Sequence, residues 1–415
     1  MTKPFETKRL KYLVSLRRSR VDGAGDGRPY LGLENIQSCT GKLVAESLGY
    51  ESGADQSQGS GESLSNTFKT GDVLFGKLRP YLAKAWLADF EGRCTTELLV
   101  MDPVGIEARF LRYVLLWGSF IDAVDASTFG SKMPRADWDF IGNMPVPLPG
   151  RAWQLSVADY LDRETTRLDS LIAAKERLLG LLAEKREALI TRAVTSGLDP
   201  NCILRDSGIP WLGLIPAHWA TPRIAWLFRE RDHRGEPDLP LLEVSINSGV
   251  VLREFSDEKI ESTAADFNTY KVARQGDVVF NKMRMWQGAV GVAPEDGLVS
   301  PDYVVAAPTG ALTSEYAGLL FRTPVFSAEC GRRSHGIVWD RLRLYWEEFR
   351  DISVPLPSLT EQAAILAYVA QETRKIDELA SGTSRTIALL KERRSALIAA
   401  AVTGQITVGR RSDED

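Results

Sequence analysis

Two short basic segments of the chain have side chains suited to the edge of a nucleic acid. In each, two cations stand two residues apart and an aromatic residue follows. They are Lys77, Arg79 and Tyr81 in one segment and Lys282, Arg284 and Trp286 in the other, 205 residues later. Because both segments retain these residue types while their neighbours differ, we expect the cations to contact phosphates rather than bases. The alternative is that the cations are solvated and that both aromatic side chains pack into the protein.

A second pair of basic segments differs between the two halves of the chain. Lys132 and Arg135 lie in the first half, and Arg332, Arg333 and His335 lie in the second. An arginine can donate two hydrogen bonds to a guanine edge, which is worth ~1–3 kcal/mol of discrimination against another base. Segments that read different bases must differ, so these residues are our candidates for base recognition. A surface loop with incidental arginines is the alternative.

The two halves are copies of one module. Val146-Pro147-Leu148-Pro149 returns 208 residues later as Val354-Pro355-Leu356-Pro357, and this offset holds downstream without a gap. Gly71-Asp72-Val73-Leu74-Phe75 returns 205 residues later as Gly276-Asp277-Val278-Val279-Phe280. Solenoid repeats span only ~20–50 residues. The sequence therefore predicts two large modules arranged with pseudo-two-fold symmetry.

Each module begins with a mixed region of helices and strands. Residues 72–75 and 277–280 have the pattern of buried strands entered through glycine turns, and residues 97–101 and 302–306 have that of the next strands. Residues 109–124 and 314–328 have helical periodicity. We therefore predict an α+β region with small sheets in each module.

Each module ends in a segment with the pattern of a long helix. Apolar residues recur there at heptad spacing, and proline is absent between Pro149 and Pro200 and after Pro357. The two seams consist of Leu161, Leu168, Leu182 and Leu189 and of Val369, Ile376, Leu390 and Leu397. Such a narrow seam suits one long partner helix, so we predict an antiparallel coiled coil. The alternative is that each helix lies on its own module.

The composition limits the class of protein. The chain has 415 residues, a formal net charge of −4 and 44% hydrophobic residues, which is typical of soluble globular domains. No apolar run approaches the ~18–20 residues of a membrane span, and the start lacks a signal-peptide core. The four cysteines are scattered, which predicts reduced thiols in a cytoplasmic protein and no zinc site. The sequence has neither a P-loop nor a glycine-rich dinucleotide motif, so we predict no cofactor.

The order of these motifs, present twice, resembles that of the specificity subunits of type I restriction-modification systems. Residues 209–219, Ile-Pro-Trp-Leu-Gly-Leu-Ile-Pro-Ala-His-Trp, are similar to the segment that opens the family's second recognition domain. The resemblance implies target recognition domains at residues 1–150 and 208–358, long helices at 151–207 and 359–409, and a disordered tail at 410–415. The first module departs from the family in lacking the Ile-Pro-Trp segment. It also has Trp153 where the family's helix usually starts with glutamate.

The resemblance implies a subunit that binds DNA sequence-specifically and is not itself a catalyst. Its partners would be double-stranded DNA and two modification subunits, which hold S-adenosylmethionine and methylate adenine. In this family motor-nuclease subunits join some of these complexes. Recognition domains at opposite ends of a helical rod would contact two stretches of duplex and skip the base pairs between. Because the two domains differ in sequence, the target would be bipartite and asymmetric.

Two other functions remain open from the sequence. Pro237-Asp238 followed by Asp257-Glu258-Lys259 matches the loose spacing of magnesium-dependent nucleases, in which carboxylates hold the metal beside a lysine. The second alternative is a coiled-coil assembly scaffold without DNA contact. Magnesium-dependent cleavage by the purified chain would support the nuclease, and a salt-dependent duplex-binding assay distinguishes the scaffold from a DNA-binding subunit.

Overall fold

The chain divides into two compact units. A computed structural model describes residues 5–21, 27–44, 64–130, 132–253, 267–336 and 342–406. Unit 1 comprises residues 1–176 and 384–415, and unit 2 comprises residues 177–383. Each unit therefore contains the α+β region of one module, part of that module's long helix and part of the other module's long helix.

Unit 1 is built on two four-stranded sheets. Its strands are β1 (Thr7–Arg9), β2 (Val14–Leu16), β3 (Arg20–Val21), β4 (Tyr30–Leu31), β5 (Ser65–Phe68), β6 (Val73–Gly76), β7 (Ala85–Leu87), β8 (Gly92–Cys94), β9 (Leu98–Pro103) and β10 (Pro145–Pro147). Its helices are α1 (Ala108–Leu115), α2 (Gly118–Ala126), α3 (Trp138–Asn143) and the start of the long α4 (Arg151–Ser196). The sheets have the orders β2-β9-β6-β7 and β3-β5-β8-β4, and β1 pairs with β10.

Unit 2 has a related sheet of order β13-β20-β17-β18 and three two-stranded pairs, β11-β12, β14-β15 and β16-β19. These strands are β11 (Leu204–Asp206), β12 (Leu214–Pro216), β13 (Phe228–Glu230), β14 (Leu242–Ser245), β15 (Gly249–Leu252), β16 (Lys271–Ala273), β17 (Val278–Asn281), β18 (Val290–Val292), β19 (Gly297–Val299) and β20 (Tyr303–Pro308). Its helices are α5 (Ile224–Leu227), α6 (Ser314–Phe321), α7 (Pro324–Arg333), α8 (Trp346–Arg350) and the start of the long α9 (Leu359–Val402).

The central strands β6 and β17 are buried on both faces, as their continuous apolar sequences predict. In β6, Val73 and Phe75 pack with residues of α1 and α2, whereas Leu74 packs on the other face with residues of the second sheet. Val278 and Val279 divide in the same way between the two cores of unit 2. The repeated apolar motif therefore forms the centre of each unit.

The aspartate that precedes each central strand stabilises its turn. Asp72 accepts hydrogen bonds from the backbone N–H of Lys69 at 2.7 Å and from the Arg17 guanidinium at 2.7 Å. Asp277 accepts the equivalent bonds from the backbone of Arg274 at 2.8 Å and from Arg231 at 2.7 Å. The preceding glycines have φ of 91° and 86°, a conformation that a side chain would strain. The repeated Gly-Asp pair is therefore a structural turn.

The two segments with helical periodicity are each broken into two helices. Residues 109–124 form α1 and α2, and residues 314–328 form α6 and the first half of α7. In unit 2 the break has a clear cause, because Pro324 occupies the first turn of α7 and Thr323 caps it by accepting from Phe326 N–H. The helical periodicity of both segments is confirmed, and each segment contains a break that periodicity alone does not show.

The long helices pair in antiparallel fashion within each unit, which confirms the predicted pairing. In unit 1, Arg394 of α9 contacts Asp169 of α4 at 2.8 Å. Seven residues further along α4, Glu176 contacts Lys391 at 3.1 Å, so the two helices run in opposite directions. In unit 2, Arg186 contacts Asp377 at 3.6 Å. These partners are the 208-residue counterparts of Arg394 and Asp169.

Most of the heptad residues are shielded from solvent. Five of them are at most 9% exposed, namely Leu161, Leu168, Leu182, Val369 and Ile376. Leu189, Leu390 and Leu397 are half-buried. Leu161 and Leu397 pack with the core of unit 1, and Leu189 and Val369 pack with that of unit 2. The helix pair in each unit is therefore continuous with the core of its α+β region.

A buried glutamine fixes the start of each long helix. Gln154 accepts from the Glu107 N–H at 2.8 Å and donates to the Pro149 carbonyl at 2.7 Å. Gln362 likewise accepts from the Thr313 N–H at 2.8 Å and donates to the Pro357 carbonyl at 3.0 Å. Each glutamine thus links its Val-Pro-Leu-Pro segment to the preceding helical region.

The two helix starts differ at the residue before this glutamine. Glu361 accepts from Ser358 N–H, and Glu361 N–H donates to the Ser358 hydroxyl, so the two residues form a capping box. The same carboxylate contacts His218 at 2.7 Å and the Trp219 indole N–H at 3.2 Å. In unit 1, Trp153 replaces the glutamate and packs edge-on against Phe5, with ring centroids 5.6 Å apart. An aromatic pair therefore takes the place of a hydrogen-bonded one.

Candidate nucleic-acid interface

In unit 1 the structure brings the two candidate segments side by side. The segment that follows β6 crosses the segment that precedes α3, with a bridge between Leu78 and Arg135. The Arg79 N–H donates to the Pro134 carbonyl at 2.8 Å, and the Ala136 N–H donates to the Lys77 carbonyl at 2.9 Å. These bonds hold the cations of both segments on one surface.

The crossing in unit 1 exposes both cations and apolar side chains. Arg79, Lys132 and Arg135 are exposed, whereas Lys77 is half-buried. Tyr81 is 49% exposed, so it does not pack fully into the domain. Phe129 and Met133, at 70% and 56%, are also exposed, and neither was among the predicted residues. Cations beside exposed apolar side chains are typical of a site that binds a partner.

The acidic side chain of Glu97 is part of this surface. Glu97 lies just before β9 and makes a two-point ion pair with Arg135, at 3.0 and 3.2 Å. This pair holds the Arg135 guanidinium in one orientation. Glu97 therefore already engages part of the donor fork of Arg135.

Unit 2 has a crossing at the equivalent place. The Leu344 N–H donates to the Lys282 carbonyl at 2.9 Å, which matches the bond from Ala136 to Lys77. Lys282 is half-buried and its Nζ lies 6.0 Å from the centre of the Tyr345 ring. Burial lowers the pKa of Lys282, and the nearby charge of Lys271 lowers it further. Arg284 is exposed, while Trp286 is half-buried and donates its indole N–H to the Met283 carbonyl at 3.0 Å.

Arg332 and Arg333 lie at the end of α7 and share one carboxylate. Glu329 contacts Arg332 at 2.7 Å and Arg333 at 2.6 Å. Burial opposes the ionisation of Glu329, but the hydrogen bonds from both arginines outweigh it and hold its pKa below the usual value. His335 lies just beyond, with Nε2 2.9 Å from Glu348. Carboxylates therefore occupy donors of all three residues.

The structure shows which residue of unit 2 is equivalent to Arg135 of unit 1. Arg135 forms a bridge with Phe129, and the equivalent bridge in unit 2 joins Arg343 to His335. Arg343, and not Arg332 or Arg333, is therefore the counterpart of Arg135. The sequence contained the signal, since Arg343 lies 208 residues after Arg135, the same offset as between the Val-Pro-Leu-Pro motifs. Arg332 and Arg333 match Arg135 in composition, but they do not lie at this offset.

The remaining predictions concern the nuclease-like pattern, the C-terminal tail, metal sites and membrane-spanning helices. Asp257, Glu258 and Lys259 of the nuclease-like pattern lie outside the described residues, as does the tail at 410–415. In the described part of the chain, His, Cys, Asp and Glu side chains form no group of three or more that could hold a metal. None of the described helices has the length and apolar character needed to cross a membrane.

Comparison with known sequences gives three related proteins, although no protein-family model matches the chain. The EcoDI specificity subunit of Escherichia coli is 23% identical over 164 residues, which is 40% of this chain and 35% of that protein. The EcoBI specificity subunit is 21% identical over 336 residues, covering 74% and 67%. The EcoKI specificity subunit of strain K12 is 20% identical over 317 residues, covering 72% and 65%. The chain thus aligns with about a third to two thirds of the length of these curated relatives.

Solved structures match over the whole chain. A chain from a structural study of complex assembly and conformational transition in the type I R-M system superposes with a TM-score of 0.71 at 19% identity, covering 98% of this chain and 99% of that one. The HsdS subunit of Thermoanaerobacter tengcongensis superposes with a TM-score of 0.50 at 19% identity, covering 97% of each. In fold and in sequence, the chain is thus similar to the specificity subunits of type I restriction-modification systems, which confirms the resemblance predicted from its repeated motifs.

Proposed function

We propose that this chain is the DNA-recognition subunit of a type I restriction-modification complex and that its target is bipartite and asymmetric. The observation that carries the proposal is the crossing of two basic segments at the same place in each unit. In unit 1 the crossing joins Lys77 to Ala136, and in unit 2 it joins Lys282 to Leu344. The relatives are named specificity subunits, a non-catalytic class, and we assign the same role to this chain.

At the two crossings, some equivalent positions have the same type of side chain and others differ. Lys77 and Arg79 are matched by Lys282 and Arg284, which suits phosphates because phosphates are the same at every site. The neighbouring residues differ, with Phe129 in one unit replaced by His335 in the other. Base edges are the part of DNA that varies, so differing residues suit two different half-sites. Two unlike half-sites make the target asymmetric.

The long helices offer a way to set the distance between half-sites. At 1.5 Å per residue, the 46 residues of α4 have a length of roughly 70 Å, or about two turns of B-DNA. In our proposal each α+β region contacts one half-site and the base pairs between them are skipped. The length of the helices then fixes the length of the spacer.

Repeated grooves on the helix pairs suit a partner that is present in two copies. In unit 1, Tyr160, Arg393 and Leu397 line a groove. In unit 2 their 208-residue counterparts, Tyr368, Lys185 and Leu189, line another. One partner surface can bind twice only where the chain presents equivalent residues twice. We propose that two modification subunits dock here, each placed beside one half-site.

Duplex binding by the chain co-purified with its modification subunit tests the proposal. We expect nanomolar-range affinity for one bipartite sequence and weaker, strongly salt-dependent affinity for other duplexes. A scaffold without DNA contact would show no salt-dependent binding. Magnesium-dependent cutting by the purified chain alone, abolished by Asp257→Ala, would favour the nuclease instead.

A further inference from the structure

Arg343 is held at the crossing in unit 2 by its backbone. Its N–H donates to the His335 carbonyl at 2.8 Å, and its carbonyl accepts from the His335 N–H at 2.9 Å. Leu342 and Leu344 on either side are 8% and 0% exposed, so both flanking side chains point into the core. In an extended segment the side chain between two buried ones points outward, and Arg343 is exposed.

The Arg343 guanidinium keeps donors for a ligand. Its Nη2 lies 3.9 Å from the Met283 sulfur, which is only a weak acceptor. Among the residues that the structure describes, no carboxylate forms an ion pair with Arg343. By contrast, Glu97 engages Arg135, and Glu329 engages both arginines of α7. Arg343 thus combines a backbone held by two hydrogen bonds, an exposed side chain and a guanidinium with no acidic partner among the described residues.

The surroundings of Arg343 suit a base edge beside a phosphate. Lys282 and Met283 come from the first basic segment, and Tyr345 is 41% exposed two residues away. Guanine presents two acceptors, N7 and O6, to the major groove, at a spacing that matches the guanidinium fork. Lys282, whose counterpart in unit 1 is Lys77, is bonded through its carbonyl to Leu344, the residue that follows Arg343.

We propose that Arg343 determines specificity in the second half-site by pairing with a guanine. This inference rests on the proposed DNA-recognition function and names the residue that reads one position. Arg332 and Arg333, whose donors Glu329 occupies, then support the end of α7 and do not select a base. Arg135 has the equivalent place in unit 1, but Glu97 engages part of its donor fork.

Selection from a randomised duplex library tests the inference. The probe is the chain co-purified with its modification subunit, as wild type, R343A, R343Q and R332A, the last of which tests the other candidate arginine position of unit 2. We expect R343A to lose preference for one G·C pair by about 5- to 150-fold and to keep the other half-site unchanged. Glutamine pairs with adenine, so R343Q should shift that one position from guanine towards adenine. R332A should select the wild-type motif.

Three outcomes would overturn the inference, and they differ in what else they affect. If wild type selects a bipartite motif and R343A and R343Q select the same motif, Arg343 does not read a base. An equal loss of affinity for every sequence in both variants would make Arg343 a phosphate contact. If wild type selects no bipartite motif at all, the proposed function fails together with the inference.

Discussion

The ion pair between Arg394 and Asp169 gives the strongest stability prediction. Arg394 is 8% exposed and Asp169 14% exposed, with Nε and Oδ1 2.8 Å apart. Arg394 also donates to the carbonyls of Cys39 and Thr40, at 2.6 and 3.0 Å. It therefore joins a loop of the α+β region to the helix pair. Removing the Arg394 side chain takes a hydrogen-bond donor from the largely buried Asp169 carboxylate and from the two backbone carbonyls.

The size of the effect follows from burial. Removing one partner of a buried pair costs about 3–5 kcal/mol. Lys42 remains 2.8 Å from Asp169, so we expect R394A to lose about 3 kcal/mol of unfolding free energy. For a unit of about 200 residues this lowers the Tm by roughly 6–12 °C. The loss should appear in the transition of unit 1.

The repeat supplies a matched control. Arg186 and Asp377 form the same pair in unit 2, but they are 3.6 Å apart and 50% and 57% exposed. Exposed pairs contribute about 0–1 kcal/mol, so R186A should change stability little. Urea denaturation gives the free energies, and hydrogen exchange of residues 37–43 reports the loop directly. Equal losses from both variants, or unchanged exchange of the loop in R394A, would refute the reasoning.

Three further predictions concern the helix start, the shared cations and the helices. Although burial opposes its ionisation, hydrogen bonds from His218, Trp219 and Ser358 lower the pKa of Glu361 to about 2. The carboxylate therefore stabilises the fold above about pH 4.5, and this contribution is lost as the pH falls towards 2. In acid titrations E361Q should lack that pH dependence and be about 1 kcal/mol less stable near neutral pH, since solvent screens the group. R79A and R284A should weaken binding to every duplex and reduce the salt slope by about 1 each, as measured by fluorescence anisotropy; unchanged affinity would remove them from the interface. Inserting seven residues at matched positions of both helices should lengthen the spacer in mapped methylation sites, and an unchanged spacer would contradict the ruler model.

Much of the fold could be predicted because it depends on local pattern. The apolar residues 73–75 and 278–280 form the central strands, as their sequence pattern predicted. The heptad spacing predicted both long helices and their antiparallel pairing. In each case the deciding interaction lies within a few residues or in a repeating stripe.

The candidate site was harder to predict because its geometry is set by contacts between distant segments. The crossing of residues 77–81 with 132–136 depends on backbone bonds between strands and loops more than fifty residues apart. The ion partners of the arginines differ in how far the sequence shows them. Glu329 precedes Arg332 and Arg333 by three and four residues, a helical spacing that is visible in the sequence. Glu97 lies 38 residues before Arg135, and that pairing depends on the fold. The offset of 208 residues was the one signal that could have found Arg343.

Mapping methylated adenines in DNA from cells that carry this chain and its modification subunit tests the central claim most directly. The two unlike recognition regions that we propose predict a single motif with two different half-sites and a spacer of fixed length. A continuous motif, a palindromic motif or the absence of any motif that depends on this chain would contradict it.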